Sequence, residues 1–153
     1  MDGRGGSGLR ELPRDRCLEL LTTVALGRIG VSIGALPVIL PVNFVVLRDQ
    51  IVFRTVPGTK LDAAIVRRVF AFEADDHERD GAWGWSVLVQ GVASEIVDPD
   101  DLAEVRALAL DPWAFENGAA DRFVRVETTR VSGRRFGEIP PASPPVPLAL
   151  ETD

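Results

Sequence analysis

The fold is decided by the stretch Arg28-Ile29-Gly30-Val31-Ser32-Ile33, Gly34-Ala35, Leu36-Pro37-Val38-Ile39-Leu40-Pro41-Val42-Asn43-Phe44-Val45-Val46-Leu47, Arg48-Asp49-Gln50, Ile51-Val52-Phe53-Arg54-Thr55. Ile29, Val31 and Ile33 alternate with Arg28, Gly30 and Ser32, the period of a strand with one buried face. Gly34-Ala35 reads as a turn. Pro37 to Leu47 is a long β-branched apolar run, Arg48-Asp49-Gln50 turns again, and Ile51 to Thr55 returns. This is an antiparallel meander.

Upstream, Pro13 suits a first helical turn. Cys17, Leu20, Leu21 and Val24 fall at i, i+3, i+4 and i+7, one apolar stripe that Gly27 is expected to end. Cys17 reads as a small buried hydrophobe on that stripe. Downstream, Val56-Pro57-Gly58-Thr59 is a loop and Lys60 to Arg68 a short helix. Val69 to Ala74 is a strand, Asp75 to Gly84 a polar turn, and Trp85 to Val97 a long strand apolar on both faces. Such a strand needs cover on both sides, from a core and from a helix or a second chain. Asp98 is a natural N-cap, with Pro99 at N1 and Asp100 and Asp101 at the positive end of a second helix. Arg122 to Phe136 reads as one last strand. Strands dominate and connect as hairpins, so the expected fold is mainly β, an antiparallel barrel with peripheral helices.

The ends differ in composition. Four of the 14 glycines lie in the first eight residues, and five of the 11 prolines lie between Pro140 and Pro147. The expected organisation is an N-terminal tail over 1–9, a folded domain over 10–137 and a Pro-rich C-terminal tail over 138–153.

Composition excludes several functions. The chain has 153 residues, a single cysteine and a single histidine. That removes a disulfide framework, a Cys-rich zinc module, a two-histidine metal site and most histidine-based triads. A net charge of −6 disfavours nucleic acid and anionic membrane. No apolar run reaches the roughly 20 residues of a membrane span, and Met1 to Gly6 carries no apolar signal core. A cytoplasmic location is expected. Asp76, Glu78, Asp80 and Gly81 imitate the start of a calcium loop, but the twelfth position is Val87, not Glu, so a solvated turn is expected and no metal. There is no Gly-x-Gly-x-x-Gly before a helix and no Walker motif.

One constellation carries chemistry. Arg54-Thr55 ends a strand, and Pro57-Gly58-Thr59-Lys60 turns into a helix. Helix-start amides, hydroxyls and cations are the groups that hold a phosphate. Ordinary capping by Thr59 beside a solvated Lys60 is the plain alternative. Lys60 is the only lysine among 17 basic residues. The tryptophans Trp83, Trp85 and Trp113 sit near an element end, on a strand start and after a helix, where an aromatic can stack on a planar group or, more often, pack in a core.

Taken in order, several segments resemble a family: Cys17-Leu18-Glu19-Leu20-Leu21, Gly27-Arg28-Ile29-Gly30-Val31, Leu40-Pro41-Val42-Asn43-Phe44, Ile51-Val52-Phe53-Arg54-Thr55 with Gly58-Thr59-Lys60, Phe72-Glu73, and Gly84-Trp85-Ser86-Val87-Leu88-Val89-Gln90-Gly91. They resemble the pyridoxamine 5′-phosphate oxidase-like, FMN-binding split β-barrel proteins, including the small bacterial nitroimidazole-resistance-type members. The resemblance implies a homodimer with FMN at the subunit interface and a small-molecule substrate. It implies that Pro41, Val42 and Asn43 line the flavin ring, and that Arg54, Thr55, Thr59 and Lys60 hold its phosphate. It further implies that Trp85 and Ser86 contact the flavin and that Trp113 covers it. The implied activity is FMN-dependent oxidoreduction by hydride transfer. The alternatives are an F420-binding reductase or a flavin-binding module without turnover. No catalytic side chain is named, because the flavin supplies the redox chemistry. The Arg-x-His motif of true pyridoxamine 5′-phosphate oxidases is replaced here by Ser132-Gly133-Arg134-Arg135-Phe136, so vitamin B6 oxidation is not expected.

Overall fold

In the computed structural model, which describes residues 8–55, 68–108 and 122–141, the decisive stretch forms consecutive antiparallel strands. The described elements are β1 (Arg10–Leu12), α1 (Arg14–Leu21), β2 (Leu26–Ile33), β3 (Leu36–Leu47), β4 (Gln50–Thr55), β5 (Val69–His77), β6 (Gly84–Glu95), α2 (Pro99–Ala107), β7 (Arg122–Val126) and β8 (Arg130–Phe136). The two hairpin turns, Gly34-Ala35 and Arg48-Asp49, place all four residues at positive φ, which matches the twist of the flanking strands.

Strand order is β1-β8-β6-β5-β2-β3-β4-β7, and a further β6–β7 pairing closes six of these strands into an antiparallel barrel. β6 is shared. Its residues Gly84 to Gln90 pair with β8, and Ala93 to Glu95 pair with β7. The barrel interior is filled by the alternate residues of each strand, among them Ile29, Phe44, Phe53, Phe72, Val87 and Val124. Phe44 meets Phe72 edge-on at 4.7 Å between ring centroids, and Phe53 meets Phe70 at 6.1 Å. α1 turns Cys17, Leu18, Leu20 and Leu21 into the same core.

Three expectations are corrected. The final strand is two strands. Val126 and Arg130 bracket a crossing in which the Glu127 N–H donates to the Val92 carbonyl and the Thr128 hydroxyl donates to the Asp49 carbonyl at 2.8 Å. The first helix stops at Leu21, because the hydroxyls of Thr22 and Thr23 donate to the Glu19 and Leu20 carbonyls, each at 2.6 Å. Gly27 lies instead inside β2, where a Cβ would stand 2.5 Å from the Phe72 ring. The polar turn starts later than expected, since β5 runs on to His77. The expected helix over Lys60 to Arg68 and most of both expected tails lie outside the described residues.

α2 is capped as expected, with Asp98 accepting from the Asp100 and Asp101 amides at 2.9 and 3.1 Å. It packs Val105 on Val52, Ile96 and Phe123, and so covers the outside of β4 and β7. Asp101 fastens it, lying 3.2 Å from Arg48 and 3.0 Å from Arg125. α2 also packs on Val45 and Leu47, the outward residues at the end of β3. Among the described residues no helix is long and apolar enough to cross a membrane.

Candidate functional site

Strand alternation sorts the expected site residues onto two faces. On β3, Val42 points into the barrel core at 7% exposure, which leaves Pro41 and Asn43 on the outer face. β3 pairs with β4 through Phe44 and Phe53, so Asn43 and Arg54 come next at the same end of the hairpin, both outside. Thr55 points inward, 3% exposed, and its hydroxyl donates to the Arg122 carbonyl at 3.5 Å. Pro41, Asn43 and Arg54 therefore form one outer patch, and Val42 and Thr55 support it from inside.

Trp85 and Ser86 split in the same way. Trp85 is 4% exposed and belongs to the core. Ser86 faces outward, three strands away from β3, opposite Asp75 on β5 and Arg134 on β8. With Glu11, Leu88, Ser132 and Arg134 it lines a groove of about 550 Å³. A single chain thus brings Pro41, Asn43 and Arg54 together and holds Ser86 apart from them. Thr59, Lys60 and Trp113 lie outside the described residues.

Between the patch and the groove stands a charged cluster that the sequence reading did not single out. The register runs Pro41, Arg28, Glu73, Leu88, Ser132 straight across β3, β2, β5, β6 and β8. Arg28 lies 3.4 Å from Glu73 and 3.5 Å from Asp75. Among the described residues, Glu73 Oε1 is buried without a hydrogen-bond partner. Burial, then the hydrogen bond and negative charge of Asp75, push the Glu73 carboxyl up to about 7, with Arg28 pulling the other way. The sequence held one signal. Glu73 interrupts the apolar run of β5 at an outward position, as Arg28 does on β2.

The acidic turn residues do separate work. Asp75 belongs to Arg28, Asp76 accepts from the His77 amide at 2.9 Å, and the His77 Nδ1 lies 2.9 Å from the Glu78 carbonyl. Among the described residues no group of three or more His, Cys, Asp or Glu side chains is placed to hold a metal ion. Cys17 is fully buried, and burial pushes its thiol up, away from reactive thiolate.

The donor set fits a flavin phosphate and ring edge. A guanidinium, Arg54, and a carboxamide, Asn43, share an outward patch beside Pro41.

A family model described as pyridoxamine 5′-phosphate oxidase matches residues 13–135. An uncharacterized Mycobacterium tuberculosis protein, Rv0080, is 38% identical over 131 residues, covering 82% of this chain and 84% of its own length. The solved structure of a FAD-binding protein from Mycobacterium smegmatis is 42% identical, with a TM-score of 0.71 over 83% of this chain and 99% of that one. A candidate pyridoxamine 5′-phosphate oxidase from Corynebacterium glutamicum is 32% identical, with a TM-score of 0.73 over 85% of this chain and 99% of that one.

Proposed function

The chain belongs to the pyridoxamine 5′-phosphate oxidase family, and from that membership we propose that it is a flavin-dependent oxidoreductase acting on a small molecule. The observation that carries the reading is the outward patch of Pro41, Asn43 and Arg54, which coincides with the segments that resemble the family's cofactor site. A bound flavin would supply hydride transfer. Arg54, with Thr59 and Lys60 a few positions on in the sequence, would hold a phosphate by charge-assisted hydrogen bonds. Asn43 would offer its carboxamide to the ring edge, and Pro41 would offer an apolar surface to the ring. The inward side chains Val42 and Thr55 fix the β3–β4 end so that these groups keep their spacing.

The reading includes a homodimer. Among the described residues the Ser86 groove lies three strands across the sheet from the patch. A two-fold partner would bring its own β6 and β8 against the patch. The single cysteine, buried as a thiol, suits the reducing cytoplasm. Nothing replaces the histidine of the Arg-x-His motif, which argues against pyridoxine substrates.

FMN is the first cofactor reading. FAD is a second, favoured by the M. smegmatis relative, which binds FAD. F420 is the third. The test is the absorbance spectrum of purified protein before and after excess FMN, FAD or F420 and desalting, followed by chromatography of the released cofactor. Retained bands near about 370 and 450 nm support a flavin, and the extract tells FMN from FAD. Steady-state reduction by NADH, NADPH or reduced F420 separates an enzyme from a binding module. A protein that retains none of the three is not a flavoprotein.

A further inference from the structure

We propose that the inward face of β6 and β8, beneath α1, holds a second small-molecule site, separate from the patch of Pro41, Asn43 and Arg54, and that it takes a planar aromatic carrying one acidic group. The inference does not rest on the flavin reading.

The site begins with one row of the register. Asp76, Trp85, Arg135 and Arg10 stand opposite one another across β5, β6, β8 and β1. Trp85 belongs to the core, and a Cβ on Gly133, two residues before Arg135, would stand 2.6 Å from the Cys17 sulfur. The row therefore lies on the face that α1 covers. Pro41, Arg28, Ser86 and Arg134 lie on the other face. Above the row, α1 sets Arg16 one turn before Leu20 on the same helix side.

Two cavities open along the row, and Arg16 and Ile139 line both. The first, of about 280 Å³, is floored by Leu20 and Trp85, which are 2% and 4% exposed, and walled by half-buried Trp83 and by Pro140. The second, of about 620 Å³, is lined by Arg10, Arg16 and Arg135. Backbone fixes the walls. Gly137 takes a φ of 65°, and a Cβ there would stand 2.0 Å from the Ala82 carbonyl oxygen, so the chain after β8 is seated against the turn that carries Trp83. The Glu78 N–H donates to the Trp83 carbonyl at 2.9 Å and holds that turn from within.

The lining selects the guest. Two indoles offer flat apolar surface. A cavity of about 150 Å³ takes a benzene ring, so the indole cavity suits one or two fused rings. Among the described residues no group accepts from the Trp85 N–H, and Glu73 Oε1 is the one unpartnered side-chain atom sealed from solvent. The Trp85 N–H therefore meets open space, although a buried indole N–H ordinarily has an acceptor.

Charge selects the acidic group. Arg10 and Arg135 face each other directly, and like charges so placed cost stability until an anion joins them. Among the described residues Arg10 has no ion pair or hydrogen bond, and Arg135 donates only to the Gly137 carbonyl at 2.8 Å. Arg16 pairs with Glu19 at 2.9 Å. Three carboxylates also line the cavities, Asp76 at the indole end and Glu11 and Glu138 at the arginine end. None of them is within ion-pair distance of Arg10, Arg16 or Arg135. Asp76 repels an acid group from the indole end and turns it toward Arg16, where a guanidinium can take a carboxylate by two hydrogen bonds.

The test is equilibrium dialysis of the full chain against 2-naphthoate and its uncharged analogue 2-naphthylmethanol, with and without excess FMN. The acid is expected to bind at least about tenfold more tightly than the alcohol, and FMN is expected to leave both unchanged. Arg16→Gln should weaken the acid about 10- to 100-fold and spare the alcohol. Trp83→Leu should weaken both. Circular dichroism checks that each variant is folded. No binding of the acid at about 10 mM, equal affinity for acid and alcohol, or a folded Arg16→Gln or Trp83→Leu protein that binds as wild type does, overturns the inference. So does displacement by FMN, which would make the cavity part of the flavin site.

Discussion

Gly91→Ala tests the crossing that lets β6 serve two neighbours. A Cβ at position 91 would stand 1.8 Å from the Glu127 carbonyl oxygen and 3.0 Å from its carbon. An ordinary carbon–oxygen contact needs about 3.3 Å, so the crossing would have to open by about 1.5 Å. The opposing atoms are backbone and cannot rotate away. Opening loosens the Glu127 N–H bond to the Val92 carbonyl and the adjacent pairing of Ala93 with Val126. Overpacking costs about 1–3 kcal/mol, and a lost buried hydrogen bond about 1 kcal/mol more with its desolvation penalty beyond that. The entropy gained on replacing a strand glycine returns roughly 0.5–1 kcal/mol. The expected net loss is about 3 kcal/mol, or a Tm lowered by about 6–12 °C for a chain of this size. The control is Gly30→Ala, also in a barrel strand, where the nearest atom to a new Cβ is 3.8 Å away. That variant should unfold within about 1 kcal/mol of wild type, on the stable side. Thermal and urea unfolding of all three proteins at one dilute concentration is the assay. A Gly91→Ala protein within about 1 kcal/mol of wild type would refute the crossing geometry. So would a Gly30→Ala protein that falls as far as Gly91→Ala.

Asp98→Ala removes the cap of α2 and should cost about 1 kcal/mol in urea unfolding, with the helix otherwise retained; an unchanged midpoint would mean the cap is not held in solution. Arg54→Ala should raise the dissociation constant of added flavin about 10- to 100-fold, the worth of a charge-assisted hydrogen bond; equal affinity in fluorescence titration would take Arg54 out of the site. Glu73 gives folding a pH dependence of known sign. Its carboxyl titrates near 4.5 when unfolded and at about 7 when folded, so between those values the native state holds the extra proton. Wild type should therefore lose stability relative to Glu73→Gln as pH rises through that window, and the loss should level off above it; a wild type that gains on Glu73→Gln as pH rises would show that Arg28, not burial, governs the group.

The barrel was legible because its information is local. The alternation from Arg28 to Thr55, two short turns, and the Asp98-Pro99 helix start each act within a few residues, and each forms where the sequence puts it. The errors fall where distant groups decide. The break between Val126 and Arg130 carries no Gly, Pro, Asn or Asp in its own residues, and it shows only as a slip of the inward side from even positions (Val124, Val126, Thr128) to odd ones (Val131, Gly133). It exists because β6 needs β7 along one half and β8 along the other. Gly27 looks like a helix stop and is a strand residue, because the Phe72 ring occupies the space its side chain would need.

The same division holds for the site. Alternation places Pro41, Asn43 and Arg54 outward, but which of the flanking residues line a cavity depends on register. A residue's neighbour in sequence therefore points to the opposite face, as Trp85 does beside Ser86. Arg28, Glu73 and Asp75 are separated by 45 and 47 positions, so no spacing rule joins them. What joins them is a sheet in which β2 lies between β3 and β5, so that Arg28 pairs with Glu73 on the outer face. Partial burial and the neighbouring Asp75 make the Glu73 carboxyl costly to keep charged there. A fold that only had to be a stable barrel would gain by placing an apolar residue at position 73. The place of Glu73 there is set by the register of β2 on β5, which puts Arg28 opposite it and Asp75 two residues along the same face.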